Sequence, residues 1–136
     1  EAPRPVAPPP PADVPLAARK ILIVDDEPII RRVLSRALRS HTVIQAASGL
    51  EALTTLREGE FDLILCDLSM PIVSGDQVFA EAISLDPQLR ERFVIITGGA
   101  VTPSQRQFLA EEGPMVLEKP FTRTQLTALV ARIPPR

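Results

Sequence analysis

FDLILCDLSMP, residues 61–71, decides how this chain is read. Five apolar residues (Leu63, Ile64, Leu65, Cys66 and Leu68) surround one carboxylate, Asp67, and Met70-Pro71 then breaks the run. A short, continuous apolar run is the pattern of a strand buried on both faces of a parallel sheet. Its length and the turn that follows favour a strand over a buried helix. Asp67 then stands at the carboxyl end of the strand, where open α/β sheets place their ligands.

Outward from this stretch the same texture recurs. KILIV (20–24), HTVIQA (41–46), FVIIT (93–97) and PMVLE (114–118) read as four more strands. Helices fit between and after them. Residues 28–39 open on Pro28, whose missing N–H is not needed at a first helical position. Ile30, Val33, Leu34, Ala37 and Leu38 make the apolar stripe, and Arg31, Arg32, Ser35, Arg36 and Arg39 the wet side. Ser48 caps a helix over 49–58 with Leu50, Leu53 and Leu56 inward and Gly59 at its end. Ser74 caps a third, through Leu85, with Val78, Phe79, Ala82 and Ile83 inward. Thr102 and Pro103 start a fourth, to Glu112, with Phe108 and Leu109 inward. Residues 122–133 form the last, on a stripe of Leu126, Leu129, Val130 and Ile133.

Five strands alternating with five helices across short loops imply right-handed βαβ crossovers. The expected fold is α/β: a doubly wound (βα)5 three-layer sandwich around a parallel five-stranded sheet. Pattern alone does not choose the strand order; 2-1-3-4-5, the flavodoxin-like order, is one of the two common solutions and is the expectation here.

The totals fit one globular domain. The 136 residues are 45% hydrophobic and 24% charged, with a net charge of -2 that gives no reason to expect nucleic acid as partner. No apolar run approaches the roughly 18 residues of a membrane span. One cysteine excludes an internal disulfide framework and fits a reducing, cytoplasmic compartment. Cys66 reads as a small core residue and His41 as a partly exposed strand residue. Residues 1–18 carry seven of the fifteen prolines and are expected to be an interdomain linker tending to polyproline II, with the folded domain over 19–136. With no initiator Met, the chain reads as a piece of something longer.

In such a sheet all strand carboxyl ends open on one side. That edge collects Asp25 and Asp26 after the first strand, Asp67 after the third, Thr97 after the fourth and Lys119 after the fifth. Three carboxylates in one crevice repel one another, and a hard divalent cation such as Mg²⁺ is the natural remedy. An ammonium and a hydroxyl facing the same point supply a counter-charge and a donor for a phosphoryl group. Asp67 therefore reads as a carboxylate that accepts a phosphoryl group. Taken singly, each residue has a plainer reading: acidic helix capping for Asp25-Asp26-Glu27, a turn former at Asp67, helix entry at Thr97, surface charge at Lys119.

Together these residues resemble the receiver domain of two-component response regulators. The resemblance spans about residues 19–133 and rests on Asp25-Asp26, Asp67 with Met70-Pro71 and Gly75, Thr97, and Lys119-Pro120-Phe121. The intervals from Asp26 to Asp67 (41), Asp67 to Thr97 (30) and Asp67 to Lys119 (52) agree with it. It implies that Asp67 takes a phosphoryl group from phosphohistidine on a histidine kinase or phosphotransfer domain. It also implies Mg²⁺ held by Asp26 directly, by Asp25 mainly through water, by Asp67, and by the backbone carbonyl of Ser69. Lys119 would pair with the phosphoryl oxygens, Thr97 would move to bond them, and the Lys119–Pro120 peptide would be cis. Signalling would leave through the face built by the fourth strand, fourth helix and fifth strand, and a homodimer would form through the fourth helix, fifth strand and fifth helix.

Rival functions on similar folds fit less well. A flavin binder wants a phosphate-binding loop after the first strand, where this chain puts three acids. An aspartate-nucleophile phosphatase wants its nucleophile there, with a second Asp two residues on; two beyond Asp67 is Ser69. A docking-only receiver would not need the intact acidic pair, acceptor, threonine and lysine. The chain also departs from the family: three residues before the lysine, where Tyr or Phe is common, stands Val116. Small residues at Ser69 and Gly99 lead us to expect a phosphorylated state that is not long-lived. The proline-rich stretch before the receiver suggests the C-terminal receiver of a hybrid sensor histidine kinase, a parent that membrane attachment would suit; the alternative is a stand-alone or output-linked regulator.

Overall fold

The computed structural model describes residues 18–99 and 101–134. All but the last residue of the expected 1–18 linker lies outside them. In chain order the elements are β1 (Lys20–Val24), α1 (Pro28–Ala37), β2 (Thr42–Ala46), α2 (Gly49–Glu58), β3 (Leu63–Asp67), α3 (Gly75–Leu85), a 3-10 helix (Pro87–Arg92), β4 (Phe93–Thr97), α4 (Pro103–Glu112), β5 (Met115–Glu118) and α5 (Arg123–Ala131). The strands pair in parallel in the order β2-β1-β3-β4-β5, as expected.

Alternation within the strands divides the core in two. Leu22, Val24, Ile64, Cys66, Phe93 and Ile95 face α2, α3 and α4, where Phe79 sets its ring edge-on to Phe93 at 5.1 Å and to Phe108 at 5.2 Å. Ile21, Ile23, Leu63, Leu65, Val94 and Ile96 face α1 and α5. Because β3 and β4 are buried along their whole length, they read in sequence as unbroken apolar runs.

The parallel register sets the functional edge. Val24 lies opposite Cys66, Asp67 opposite Ile96, and Thr97 opposite Glu118. The residues that follow the strands therefore emerge within about a residue of one another. At the opposite edge two buried arginines tie α5 and the residues just after it to the sheet. Arg19 donates to the Val130 carbonyl at 3.5 Å, and Arg92 to the carbonyls of Pro134 (2.5 Å) and Asp62 (3.5 Å). His41, just before β2, accepts the Arg19 backbone N–H on Nδ1 at 2.9 Å. Burial and the Arg19 charge lower its pKa, which suits that acceptor role.

Several helix details differ from the expectation. Leu50 and Val33, expected inward, are 62% and 48% exposed. Helix α2 turns Gly49, Ala52 and Leu56 to the core instead. The reason lies at Gly49, where a Cβ would stand 2.3 Å from the Val73 carbonyl oxygen, so the helix start is pressed against the loop after β3. Helix α1 stops at Ala37, yet Leu38 stays buried after leaving it. The 3-10 helix was not legible: Asp86 ends α3 and caps the next turn by accepting the Gln88 N–H at 3.1 Å.

Burial gives opposite expectations for two leucines. Leu65→Ala, in the fully buried β3, should cost about 3 kcal/mol. Leu50→Ala should stay within about 0.5 kcal/mol of the parent. Urea denaturation followed by far-UV circular dichroism checks both; a costly Leu50→Ala would contradict this packing of α2.

Candidate active site at the strand carboxyl ends

Asp25 is the first residue past β1 and is completely buried. Its N–H extends the β1–β2 ladder by donating to the Ala46 carbonyl at 3.2 Å, and Arg31 donates to its own carbonyl at 2.7 Å. Its carboxylate Oδ1 accepts the Glu27 N–H at 2.8 Å, while Oδ2 has no hydrogen-bond partner. Asp26, next along, is exposed toward the cleft.

Asp67 is the last residue of β3 and only 5% exposed. Oδ1 accepts the Ser69 N–H at 3.3 Å. The backbone behind it is clamped, since Leu68 donates to the Ile96 carbonyl at 2.9 Å and Gly75 to the Leu68 carbonyl at 2.9 Å. A Cβ on Gly75 would fall 2.5 Å from the Asp67 carbonyl oxygen, so the first turn of α3 sits directly on this backbone. Thr97, the last residue of β4, is buried and accepts the Lys119 N–H on its carbonyl at 2.7 Å. The Lys119–Pro120 peptide is cis, as expected.

Lys119 points its ammonium into the acids. Nζ lies 3.0 Å from Glu27 Oε1, 3.4 Å from Asp25 Oδ2 and 3.9 Å from Asp67 Oδ2. Gly98 makes room for its stem, because a Cβ there would be 3.2 Å from Lys119 Cδ. The resulting cleft, about 290 Å³, is lined by Asp26, Asp67, Ser69, Thr97, Gly98 and Lys119 among others. Every residue singled out from the sequence for the site thus lies in or against one cleft. Glu27 is an addition, considered from sequence only as a helix cap; nothing in the local pattern marks it as a partner of Lys119. Gln105 of α4 is a second, donating from Nε2 to the Ser69 hydroxyl at 3.1 Å. Gly99 holds φ at +120° with open space around it.

Crowding shifts the titrations. Burial, then the neighbouring Asp25 charge, push the Asp67 carboxyl from the ordinary 3.8 up to about 6, against the pull of Lys119 and the Ser69 N–H. Asp25 is also raised, chiefly by burial. Burial works against the Lys119 ammonium, but the Glu27 hydrogen bond and the charges of Asp67 and Asp25 outweigh it, and its pKa is raised. Cys66 is wholly buried and its thiol pKa is pushed well up by burial and by Asp67, so it behaves as a core residue.

The donor set suits a hard cation. One carboxylate oxygen each from Asp25, Asp26 and Asp67 can be chosen so that all lie within 4.8 Å of one another. The buried Oδ2 of Asp25, which accepts no hydrogen bond and has the Lys119 ammonium at 3.4 Å, is the kind of atom a bound cation satisfies.

Comparison with known proteins agrees with this geometry. A family model described as "Response regulator receiver domain" matches residues 21–131. Sensor kinase CckA of Brucella abortus is 35% identical over 114 residues, 81% of this chain but only 12% of that protein. The response regulator receiver protein CpdR of the same organism is 33% identical over 105 residues, 76% of this chain and 86% of that one. Among solved structures, the receiver domain of sensor histidine kinase PA1611 from Pseudomonas aeruginosa superposes with a TM-score of 0.74 at 28% identity. That match covers 86% of this chain and 98% of the other, whose structure has a magnesium ion coordinated in the active-site cleft. Among the described residues, no helix is long and apolar enough to cross a membrane.

The raised carboxyl has a thermodynamic signature. Below pH 3.8 Asp67 is protonated folded and unfolded, and costs nothing. Between 3.8 and about 6 the unfolded chain ionises while the folded one keeps its proton, so stability falls as pH rises. Above about 6 the penalty is complete, on the order of 3 kcal/mol. Asp67→Asn should therefore be more stable than the parent at pH 7 with chelator present, by a margin that vanishes near pH 4. Thermal unfolding of both proteins from pH 4 to 8 measures it, and a margin independent of pH would refute the assignment.

Proposed function

The chain belongs to the response regulator receiver domain family, and on that premise we propose that Asp67 is its phosphoacceptor. The observation that carries this is the pairing of a nearly buried carboxylate at the end of β3 with the Lys119 ammonium 3.9 Å away, in a cleft shared with two more acids. An oxygen of the Asp67 carboxylate attacks the phosphorus of a phosphohistidine brought by a histidine kinase or phosphotransfer domain. The new O–P bond forms as the N–P bond breaks, and the freed imidazole keeps the electron pair and takes a proton from solvent. Lys119 offsets charge on the transferring oxygens, and Thr97, at the adjoining strand end, offers a hydroxyl for one of them. Asp25, Asp26, Asp67 and the Ser69 carbonyl would hold Mg²⁺. When bound, the metal supplies charge neutralisation on the phosphoryl oxygens. Ser69 and Gly99 put little bulk beside the acyl phosphate, which leaves water free to hydrolyse it.

For the whole protein we favour a hybrid sensor histidine kinase, with residues 1–18 as linker and 19–136 as its receiver, in the cytoplasm. The likeness to the sensor kinase CckA supports this, although the chain spans 12% of that protein. A stand-alone regulator is the second reading, favoured by the match over 86% of CpdR. A kinase ATP-binding domain encoded upstream of Glu1 decides between them. A homodimer through α4, β5 and α5 is part of the same proposal; a nucleic-acid role is not.

Incubation with Mg²⁺ and acetyl phosphate should add the mass of one phosphoryl group. Asp67→Asn should abolish the gain, and Lys119→Ala should slow it by about a hundredfold. Intact-mass spectrometry reads all three; a gain that survives Asp67→Asn would remove Asp67 from its assigned role.

A further inference from the structure

Gln105 is the third residue of α4, and its side-chain amide is used twice. Oε1 accepts the Thr102 N–H at 2.9 Å, and Nε2 donates to the Ser69 hydroxyl at 3.1 Å. The first contact fixes the second, because only the amide oxygen can accept from an N–H, so the nitrogen is the end turned to Ser69. Thr102 closes the capping box by accepting the Gln105 N–H at 3.1 Å. Ser69 in turn donates its backbone N–H to Asp67 Oδ1. A continuous path of side-chain hydrogen bonds and one residue of backbone therefore joins the Asp67 carboxylate to the N-cap of α4.

Helix α4 is the element best placed to answer a pull along that path. It has no buried residue. Its grip on the body is the half-buried pair Phe108 and Leu109, the Phe108 ring against Phe79, and an exposed Arg90–Glu112 ion pair at 3.0 Å. Gly99, at φ +120°, lies in the connection that leads into it. Val116, at the position where the family commonly carries Tyr or Phe, is 38% exposed.

We infer that Gln105 is a positioning residue that straps Ser69 to the N-terminus of α4 and carries the loading of Asp67 to that helix. The inference rests on the phosphoacceptor reading above. A phosphoryl group on Asp67 changes the oxygens that the Ser69 N–H faces, and the Ser69 hydroxyl moves with its backbone. The Gln105 amide then follows it or releases it, and either response alters the Thr102–Gln105 cap.

Hydrogen–deuterium exchange of the segment 99–106, before and after loading with Mg²⁺ and acetyl phosphate, tests this. Each protein is compared at equal phosphoryl occupancy by intact mass. In the parent, loading should change exchange in the segment about fivefold, the scale of one ordinary hydrogen bond. Gln105→Met and Ser69→Ala should lose that response, and Ser69→Thr, which keeps a hydroxyl, should restore it. Thr102→Ala weakens the cap but leaves the strap, and should respond like the parent. A full response in Gln105→Met, or an equal loss in Thr102→Ala, overturns the inference while the phosphoacceptor reading stands. A parent that gains no phosphoryl mass overturns both.

Discussion

Lys119 brings one positive charge into a cleft that holds the carboxylates of Asp25, Asp26 and Asp67, with Glu27 at its rim. The other features of the edge bear on that imbalance. Parallel register places the acids side by side, burial raises the cost of their charge, and the ammonium meets part of it. The remainder appears as the elevated pKa of Asp67 and as an Asp25 oxygen that accepts no hydrogen bond. A site of this kind is less stable empty than filled, and the surplus negative charge is what gives a cation or a transferring group its purchase. The two-layered core beneath supplies the stability that such an edge consumes.

The fold was legible because its central strands are buried on both faces. KILIV, FDLILC and FVIIT leave little choice of element, and turn residues punctuate them. The acids, threonine and lysine were legible for a related reason: in a parallel sheet, sequence position after a strand is also spatial position on one edge. What failed to show was anything that depends on the rotation of a helix about its own axis. Leu50 on α2 and Val33 on α1 look like core residues by spacing. For Leu50, the close approach of Gly49 to Val73 turns α2 to another face, and α1 buries Leu34 and leaves Val33 exposed. Glu27 and Gln105 were missed as site residues for a different reason. Each is an ordinary capping residue in sequence, and its second contact is made to a residue 92 positions away in one case and 36 in the other.

Val116 divides this chain from the common form of its family. With no ring at that position, β5 offers a short aliphatic side chain that is 38% exposed. The Ser69–Gln105 contact lies at the start of α4. That contact, built from a small residue two places after Asp67 and a glutamine in the first turn of the helix, links the site edge to α4 directly.

Arg19 and Arg92 act at the far side of the sheet. Arg19 ties the beginning of β1 to Val130 in α5, and Arg92 ties the start of β4 to Pro134 just after α5, a full strand length away from the carboxyl edge. Both boundaries of the described domain therefore lie at the floor of the sheet, opposite the cleft at Asp67. The acidic cleft is thus built without the residues of either boundary.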